Sequence, residues 1–367
     1  MSNNTLNVCI MAGGKGERFW PVSRATQPKQ LMNIVGTRSM IAETVVRNQQ
    51  VTSLAQVYVV TTQAQAGAVA VAAPELVRAN IIGEPCGKNT APCIGLICAL
   101  LAARDAEAVL AVVPADHCIP DAALYAQTLR DAAAVARRER ALLTIGIQPT
   151  FPETGYGYIL ADAPVAFAGV TRFSRVAQFI EKPPQARAEE LIATGHAFWN
   201  AGMFVFRVAD MLAALTTHVP AMAAGLAGVT AAARTGNEHE VAAAMAALYA
   251  AAPAISIDYA VMEKATNVIV AHGAFVWDDV GSWLAVAAHW PQDAHGNATR
   301  GAVLALDSAG CVLRNDAPGI VAVLGLQDVV VVRTADAVLV CPKDRAQEVK
   351  KLVQALQAAP ATRGLVE

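Results

Sequence analysis

The sequence predicts an α/β protein: a mostly parallel sheet flanked by helices, followed by a small β-rich unit at the C-terminus. Short β-rich apolar runs alternate with longer helical patterns through roughly the first 290 residues. Those runs are apolar on both faces, as strands covered by helices on either side must be. After Trp290 the pattern changes to brief β runs recurring about every ten residues.

The plainest strands are LNVCIM (Leu6 to Met11), VYVV (Val57 to Val60), VLAVV (Val109 to Val113), LLTIGI (Leu142 to Ile147) and MFVF (Met203 to Phe206). Ser39 to Gln49, Thr90 to Arg104 and Ala122 to Arg138 have the length of crossover helices. Met211 to Ala252 is rich in alanine, which favours helix and carries no chemistry of its own. Beyond Trp290, GAVLAL, GCVLRN, GIVAVLG, DVVVVR and AVLVC are separated by turn sequences, the rhythm of a short β-coil. A final amphipathic helix places Val349, Leu352, Val353 and Leu356 on one face. The expected division is residues 1–290 and 291–367, with the tail serving oligomer contact or capping.

Bulk composition excludes several classes. With 55% hydrophobic residues, 16% charged residues and a net charge of -2, the chain is neither disordered nor a polyelectrolyte, and it lacks the basic excess of a nucleic-acid binder. Its seven cysteines are irregularly spaced with no CxxC pair, which predicts a reduced, cytoplasmic setting. The N-terminus has no signal-peptide pattern. The longest apolar run, Ala91 to Ala103, is shorter than the ~20 residues that span a bilayer, so no membrane partner is expected.

The loop MAGGKGERFWPVSRATQPKQ (Met11 to Gln30) leaves the first strand at its carboxyl edge, where open α/β sheets bind ligands. It matches neither a GxGxxG fingerprint nor a Walker A loop. Gly13, Gly14 and Gly16 leave backbone N–H groups open to an anion, and Lys15, Arg18, Arg24 and Lys29 stand against one acid, Glu17. That pattern suits a compact polyanion such as a triphosphate.

Asp116 ends the VLAVVPADH strand, a position suited either to Mg²⁺ or to a helix cap. Asp278 and Asp279 in FVWDDVGSW are two close carboxylates that resist burial without a cation, or else an exposed turn. EPCGKNTAPCI (Glu84 to Ile94) reads equally as a helix cap at Asn89 and Thr90 or as donors and acceptors for a nucleobase edge. ETGYGYI, FIEKPP and WNAGMFVF are rich in groups that hydrogen-bond sugars, with Glu181 and Lys182 suited to a hydroxyl and a phosphate, although each segment taken alone reads more readily as a turn.

Taken in order, these segments, with SIDYAVMEK, resemble the mannose-1-phosphate guanylyltransferases, and the β tail is also similar to theirs. The resemblance implies a Rossmann-like, GT-A-like nucleotidyltransferase fold with a β-helix-like tail. It implies that GTP and mannose 1-phosphate give GDP-mannose and pyrophosphate with Mg²⁺. The nucleotide would lie on Ala12, Gly13, Gly14, Lys15, Gly16, Glu84, Pro85, Asn89, Thr90 and Ala91. Arg18, Lys29, Asp116 and Asp279 would be catalytic, the two aspartates holding the metal. Tyr156, Gly157, Glu181, Lys182 and Asn200 would bind the sugar phosphate. The implied assembly is a homodimer. Many relatives continue into a cupin-type isomerase domain, so isomerase activity is not expected of a chain stopping at Glu367. Uridylyl and thymidylyl relatives carry a different run at EPCGKNTAPC, which argues against another base, and a silent nucleotide-sugar sensor would be expected to lose Arg18, Lys29 or an aspartate.

Overall fold

The structure is a computed structural model that describes residues 6–14 and 16–366. Two compact units emerge, each discontinuous along the chain: Met1–Gly13 with Thr44–Ala115 and Ile119–Trp277, and Gly14–Glu43 with Asp116–Cys118 and Asp278–Glu367.

The first unit is built on a nine-stranded sheet. Its strands are β1 (Leu6–Met11), β2 (Val57–Thr62), β3 (Ile81–Glu84), β4 (Val109–Pro114), β5 (Leu142–Ile147), β6 (Tyr158–Val165), β7 (Phe173–Ile180), β8 (Ala197–Arg207) and β9 (Val268–Gly273). They lie in the order β3-β2-β1-β4-β8-β5-β9-β7-β6. From β3 to β4 the pairing is parallel, as the doubly apolar runs predicted. β8 then runs antiparallel to both β4 and β5, and β6 and β7 form an antiparallel pair at the far edge, so the sheet is mixed.

Crossover helices cover the parallel strands. Thr90–Ala102 is almost wholly buried and N-capped by Asn89, and Ala122–Glu139 is capped by Asp121, which accepts from Leu124 N at 2.9 Å. The alanine-rich stretch forms the helices Val208–His218, Ala223–Thr235 and Glu238–Ala251. Gly236, at φ 72°, ends the second of these, and Asn237 caps the third. Among the described residues no single helix is long and apolar enough to cross a membrane.

In the second unit β10 (Ala298–Arg300), β12 (Val312–Asn315) and β14 (Val329–Arg333) stack in parallel, and β15 (Val338–Pro342) closes the stack antiparallel to β14. β11 (Val303–Leu306) and β13 (Val321–Leu324) make a second parallel pair, so the chain winds as the predicted β-coil. The terminal helix, Val349–Ala358, buries Val349 and Val353 and half-buries Leu356. Leu352 is instead 46% exposed. At about 100° per residue it falls roughly 60° from Val349, on the rim of the stripe rather than within it.

Where the sequence suggested a break near residue 290, the packing joins what lies on either side. Phe19, Trp20, Met32, Ile34 and Met40 share one hydrophobic cluster with Trp283, Trp290, Val312, Val330, Leu339, Val349 and Val353. Trp20 Nε1 donates to Leu365 O at 2.9 Å, and Trp290 Nε1 donates to Ile34 O at 2.7 Å. The opening loop is therefore seated on the C-terminal coil.

Candidate active site

The chain passes from one unit to the other at the opening glycines. Ala12 is buried, with its N–H on Val60 O at 2.8 Å, and Gly13 and Gly14 are exposed. Lys15 lies outside the described residues. Gly16 has φ 65°, and a Cβ there would stand 2.5 Å from Lys29 Cβ and 2.8 Å from Lys29 N. Only glycine permits both that conformation and that approach. Past it, the turn Glu17–Phe19 sinks Phe19 against Trp283, ring centroids 5.1 Å apart, and leaves Arg18 exposed. Arg24 does not face the cleft. It binds Asp336 at 3.0 Å and the Pro21 carbonyl, and lies over the Trp20 ring, so it braces the loop.

Lys29 is buried, and its Nζ donates to Asp116 Oδ2 at 2.8 Å and to the Asp279 carbonyl at 2.6 Å. One ammonium thus ties together the segments of both predicted metal aspartates. Burial alone would raise the Asp116 carboxyl, but the charges of Lys29 and His117 and the Lys29 hydrogen bond outweigh it and hold that carboxyl below the usual range. After Asp279 the chain turns through Val280 at φ 47°, a conformation costly for a β-branched residue, held by its N–H on Asp278 Oδ1 at 2.6 Å. A Cβ on Gly281 would meet Asp279 Oδ2 at 2.9 Å, so glycine makes room for the carboxylate. These groups line a cleft of about 460 Å³ with Gly16, Glu17, Arg18, His117 and Lys350.

Behind the cleft, Cys118 and Asp278 form an isolated antiparallel bridge, N to O at 2.8 and 3.1 Å. His289 spans both side chains, Nε2 to Asp278 Oδ2 at 2.8 Å and Nδ1 to Cys118 Sγ at 3.8 Å. The Asp278 hydrogen bond, then that of Cys118, raises His289 to about 10, so it is a cationic staple across the two aspartate segments at neutral pH.

Mg²⁺ takes hard oxygen ligands, commonly one or two carboxylates with the rest from phosphate and water. Among the described residues no group of three or more His, Cys, Asp or Glu side chains could hold a metal by itself. Asp116 and Asp279, which line one cleft, fit such an ion, whose remaining oxygens would come from a ligand or water.

In the first unit, the segment expected at the base is largely engaged within the protein. Asn89, at φ 71°, accepts from Thr90 N at 2.8 Å. Thr90 Oγ1 accepts from Ile257 N at 2.8 Å, Ala91 N donates to Ile255 O at 3.1 Å, and Lys88 Nζ donates to Ala252 O at 2.8 Å. Glu84 is buried and accepts from the Tyr249 hydroxyl. Burial raises its carboxyl to about 7, against the lowering effect of that hydrogen bond. Pro85 and the Asn89 residue itself remain exposed.

The predicted sugar residues Gly157, Glu181, Lys182 and Asn200 do come together. Asn200 N donates to Gly157 O at 2.8 Å, and a Cβ on Gly157 would stand 2.5 Å from Glu181 Oε2 and 3.4 Å from Asn200 Cβ. Lys182 Nζ meets Glu181 Oε1 at 2.8 Å, and its N–H reaches Tyr156 O at 3.2 Å. Asn200 Oδ1 accepts from Thr144 Oγ1 at 2.9 Å, while its Nδ2 donates to Asp258 Oδ1 at 2.9 Å. Burial, then the Glu181 charge, raises Asp258 to about 6. Tyr156 stands edge-on to Trp199 and Trp277 at 5.3 and 5.2 Å, an aromatic wall beside this cluster. Asp258, Tyr249, His289 and Lys350 were not singled out from sequence. Asp258 sits in SIDYAVMEK, a signal that was present; the others sit in alanine-rich or amphipathic helical context that carries none.

A cleft lined by lysine, arginine and aspartate in one unit and a polar cluster beside aromatic rings in the other are the features of a nucleotide-handling transferase. Consistent with that class, the nucleotidyl transferase family model matches residues 7–294, and a MannoseP isomerase/GMP-like beta-helix domain model matches residues 301–356. The xanthan biosynthesis protein XanB of Xanthomonas campestris is 39% identical over 361 residues, covering 95% of this chain and 73% of that protein. A mannose-1-phosphate guanylyltransferase of Klebsiella pneumoniae is 36% identical over 355 residues, again covering 95% of this chain and 73% of that protein. A Thermus thermophilus crystal structure described as a mannose-1-phosphate geranyltransferase superposes with a TM-score of 0.85 at 36% identity, covering 96% of this chain and 99% of that one. The chain belongs to the mannose-1-phosphate guanylyltransferase family of nucleotidyl transferases.

Proposed function

We propose that this chain transfers GMP from GTP to α-D-mannose 1-phosphate, giving GDP-mannose and pyrophosphate. The observation that carries the proposal is Lys29 joining Asp116 and the Asp279 turn in a cleft with Arg18, in a chain of this family. An oxygen of the sugar phosphate is already ionised, so it attacks the α-phosphorus without a general base. The new P–O bond forms in line as the bond to pyrophosphate breaks. The chemical task is to align two anions and to stabilise charge on the α-phosphoryl group and on the departing pyrophosphate.

Arg18 and Lys29 stabilise that charge, and the amides at Gly13, Gly14 and Gly16, with Lys15, cradle the phosphates. Mg²⁺ on Asp116 and Asp279 would screen phosphate charge and orient the oxygens it touches. Pro85 and the Asn89, Thr90 and Ala91 turn border the base, with Glu84 supporting them from beneath. Tyr156, Gly157, Glu181 and Asn200 hold the sugar, and Lys182 takes its phosphate. Residues 1–290 carry the reaction, and 291–367 support it and supply a homodimer contact. Leu304, Leu306 and Leu324 on β11 and β13 are exposed, which favours such a contact. A cytoplasmic location fits seven free cysteines.

The test is pyrophosphate release with Mg²⁺, crossing four nucleoside triphosphates with mannose, glucose and fucose 1-phosphates. GTP with mannose 1-phosphate should give the highest rate. A higher rate with any other pair would overturn the substrate assignment and leave the reaction class standing.

A further inference from the structure

We propose that Lys350, in the first turn of the C-terminal helix, is a phosphate-binding residue of the cleft and takes charge on the pyrophosphate portion of the nucleotide. This rests on the function proposed above. Lys350 lines the same cleft as Arg18, Lys29, Asp116 and Asp279. It comes from the coil unit, for which the sequence suggested only oligomer contact or capping.

The helix that carries it is fixed against the loop. Val349 and Val353 are buried in the cluster that holds Phe19 and Trp20. Ala25 N donates to Val366 O at 3.1 Å, so the chain after the helix is tied to the loop as well. Lys350 is thus mounted on a rigid support, the condition for a side chain that must meet a ligand in one place.

Its neighbours show that it is not simply part of a solvated, paired face. Lys351 Nζ meets Glu348 Oε2 at 2.8 Å, and Arg345 Nε meets the other oxygen of the same carboxylate at 2.9 Å. Among the described residues Lys350 has no such partner, and neither does Arg18. The other described cations near the cleft are engaged, Lys29 on Asp116 and Arg24 on Asp336.

Charge balance points the same way. Without Lys350 the described walls carry Arg18 and Lys29, with His117 beside them, against Glu17, Asp116 and Asp279, so they hold no excess of positive charge for a polyanion. Lys350 adds that cation before any metal binds. The sugar phosphate has its own lysine, Lys182, in the first unit, which leaves the diphosphate end of the nucleotide as the group of highest charge density for Arg18 and Lys350.

The experiment is calorimetric titration of inorganic pyrophosphate with Mg²⁺ into the full chain, alongside KM for mannose 1-phosphate. Lys350→Met should weaken pyrophosphate about tenfold, the scale of one charge-assisted hydrogen bond. Lys350→Arg should stay within about threefold of wild type, Lys351→Met should bind like wild type, and KM for mannose 1-phosphate should not move. If Lys29→Met weakens pyrophosphate and Lys350→Met does not, the role of Lys350 falls and the cleft stands. If neither does, the assignment of the cleft to phosphate falls with it. An equal loss in Lys350→Met and Lys350→Arg, with KM for mannose 1-phosphate also raised, would mark a lost shape rather than a lost charge and would equally overturn the proposal.

Discussion

Asp116 in the second unit and Glu84 and Asp258 in the first are held in opposite states. In the second, Asp116 sits against the buried Lys29 ammonium and stays ionised in spite of its desolvation. In the first, Glu84 and Asp258 have hydroxyl and amide partners, and burial prevails, raising them to about 7 and about 6. A carboxylate that must meet a cation is kept charged by a cation. Glu84 and Asp258, which order neutral groups, drift toward the neutral form. The charge state thus sets the cleft around Asp116 apart from the surroundings of Glu84 and Asp258.

Breaking the charged side of this contrast should have the largest effect. Lys29→Met removes the ammonium that joins Asp116 to the Asp279 turn, and turnover should fall by at least two orders of magnitude, the usual loss on deleting one transition-state donor. Wild-type turnover in the purified variant would show that the tie is dispensable. Asp116→Asn and Asp279→Asn come next. Each should shift the magnesium dependence of the rate at least about tenfold, and a superimposable titration would exclude a ligand role.

The neutral side can be tested through stability. Because Glu84 ionises at about 7 in the folded chain and near 4.5 when unfolded, the unfolded state loses its proton first as pH rises. Stability is therefore lost between those values, and Glu84→Gln should escape the loss, gaining about 3 kcal/mol over wild type at pH 8 with little difference near pH 4. Denaturant midpoints at the two pH values measure it, and a Gln variant less stable at both would contradict the burial account.

His289 should show a pH dependence of its own. Its folded value, about 10, lies above its ordinary 6.5, so its stabilisation is complete below pH 6.5 and lost as pH rises toward 10. Relative to wild type, His289→Gln should be less stable at pH 6 and converge with it near pH 10. A constant difference across that range would mean that packing, not charge, accounts for the staple.

How much of this the sequence disclosed depends on where each signal resides. β1 and β5 match LNVCIM and LLTIGI to the residue, because strands buried on both faces read as unbroken apolar runs. β6 and β7 lack that pattern, since Asp162, Pro164, Arg175 and Gln178 interrupt their apolar residues. Only the end of β8 was read, because Asn200 and Gly202 interrupt its apolar run where it lines the sugar cluster. Site residues were legible one motif at a time. Their partners were not: Lys29 and Asp116 lie 87 positions apart, Cys118 and His289 lie 171 apart, and folding alone brings them together.

The hydrogen bond from Trp20 to Leu365 bridges 345 positions, so a loop made early in synthesis is completed by residues made long after it. At roughly 5 to 20 residues per second, Phe19 and Trp20 wait on the order of twenty seconds to a minute for their cover. During that interval the two aromatic rings lack the partners that bury them in the finished fold. The last residues to be made are thus among those that complete the packing of one of the first loops.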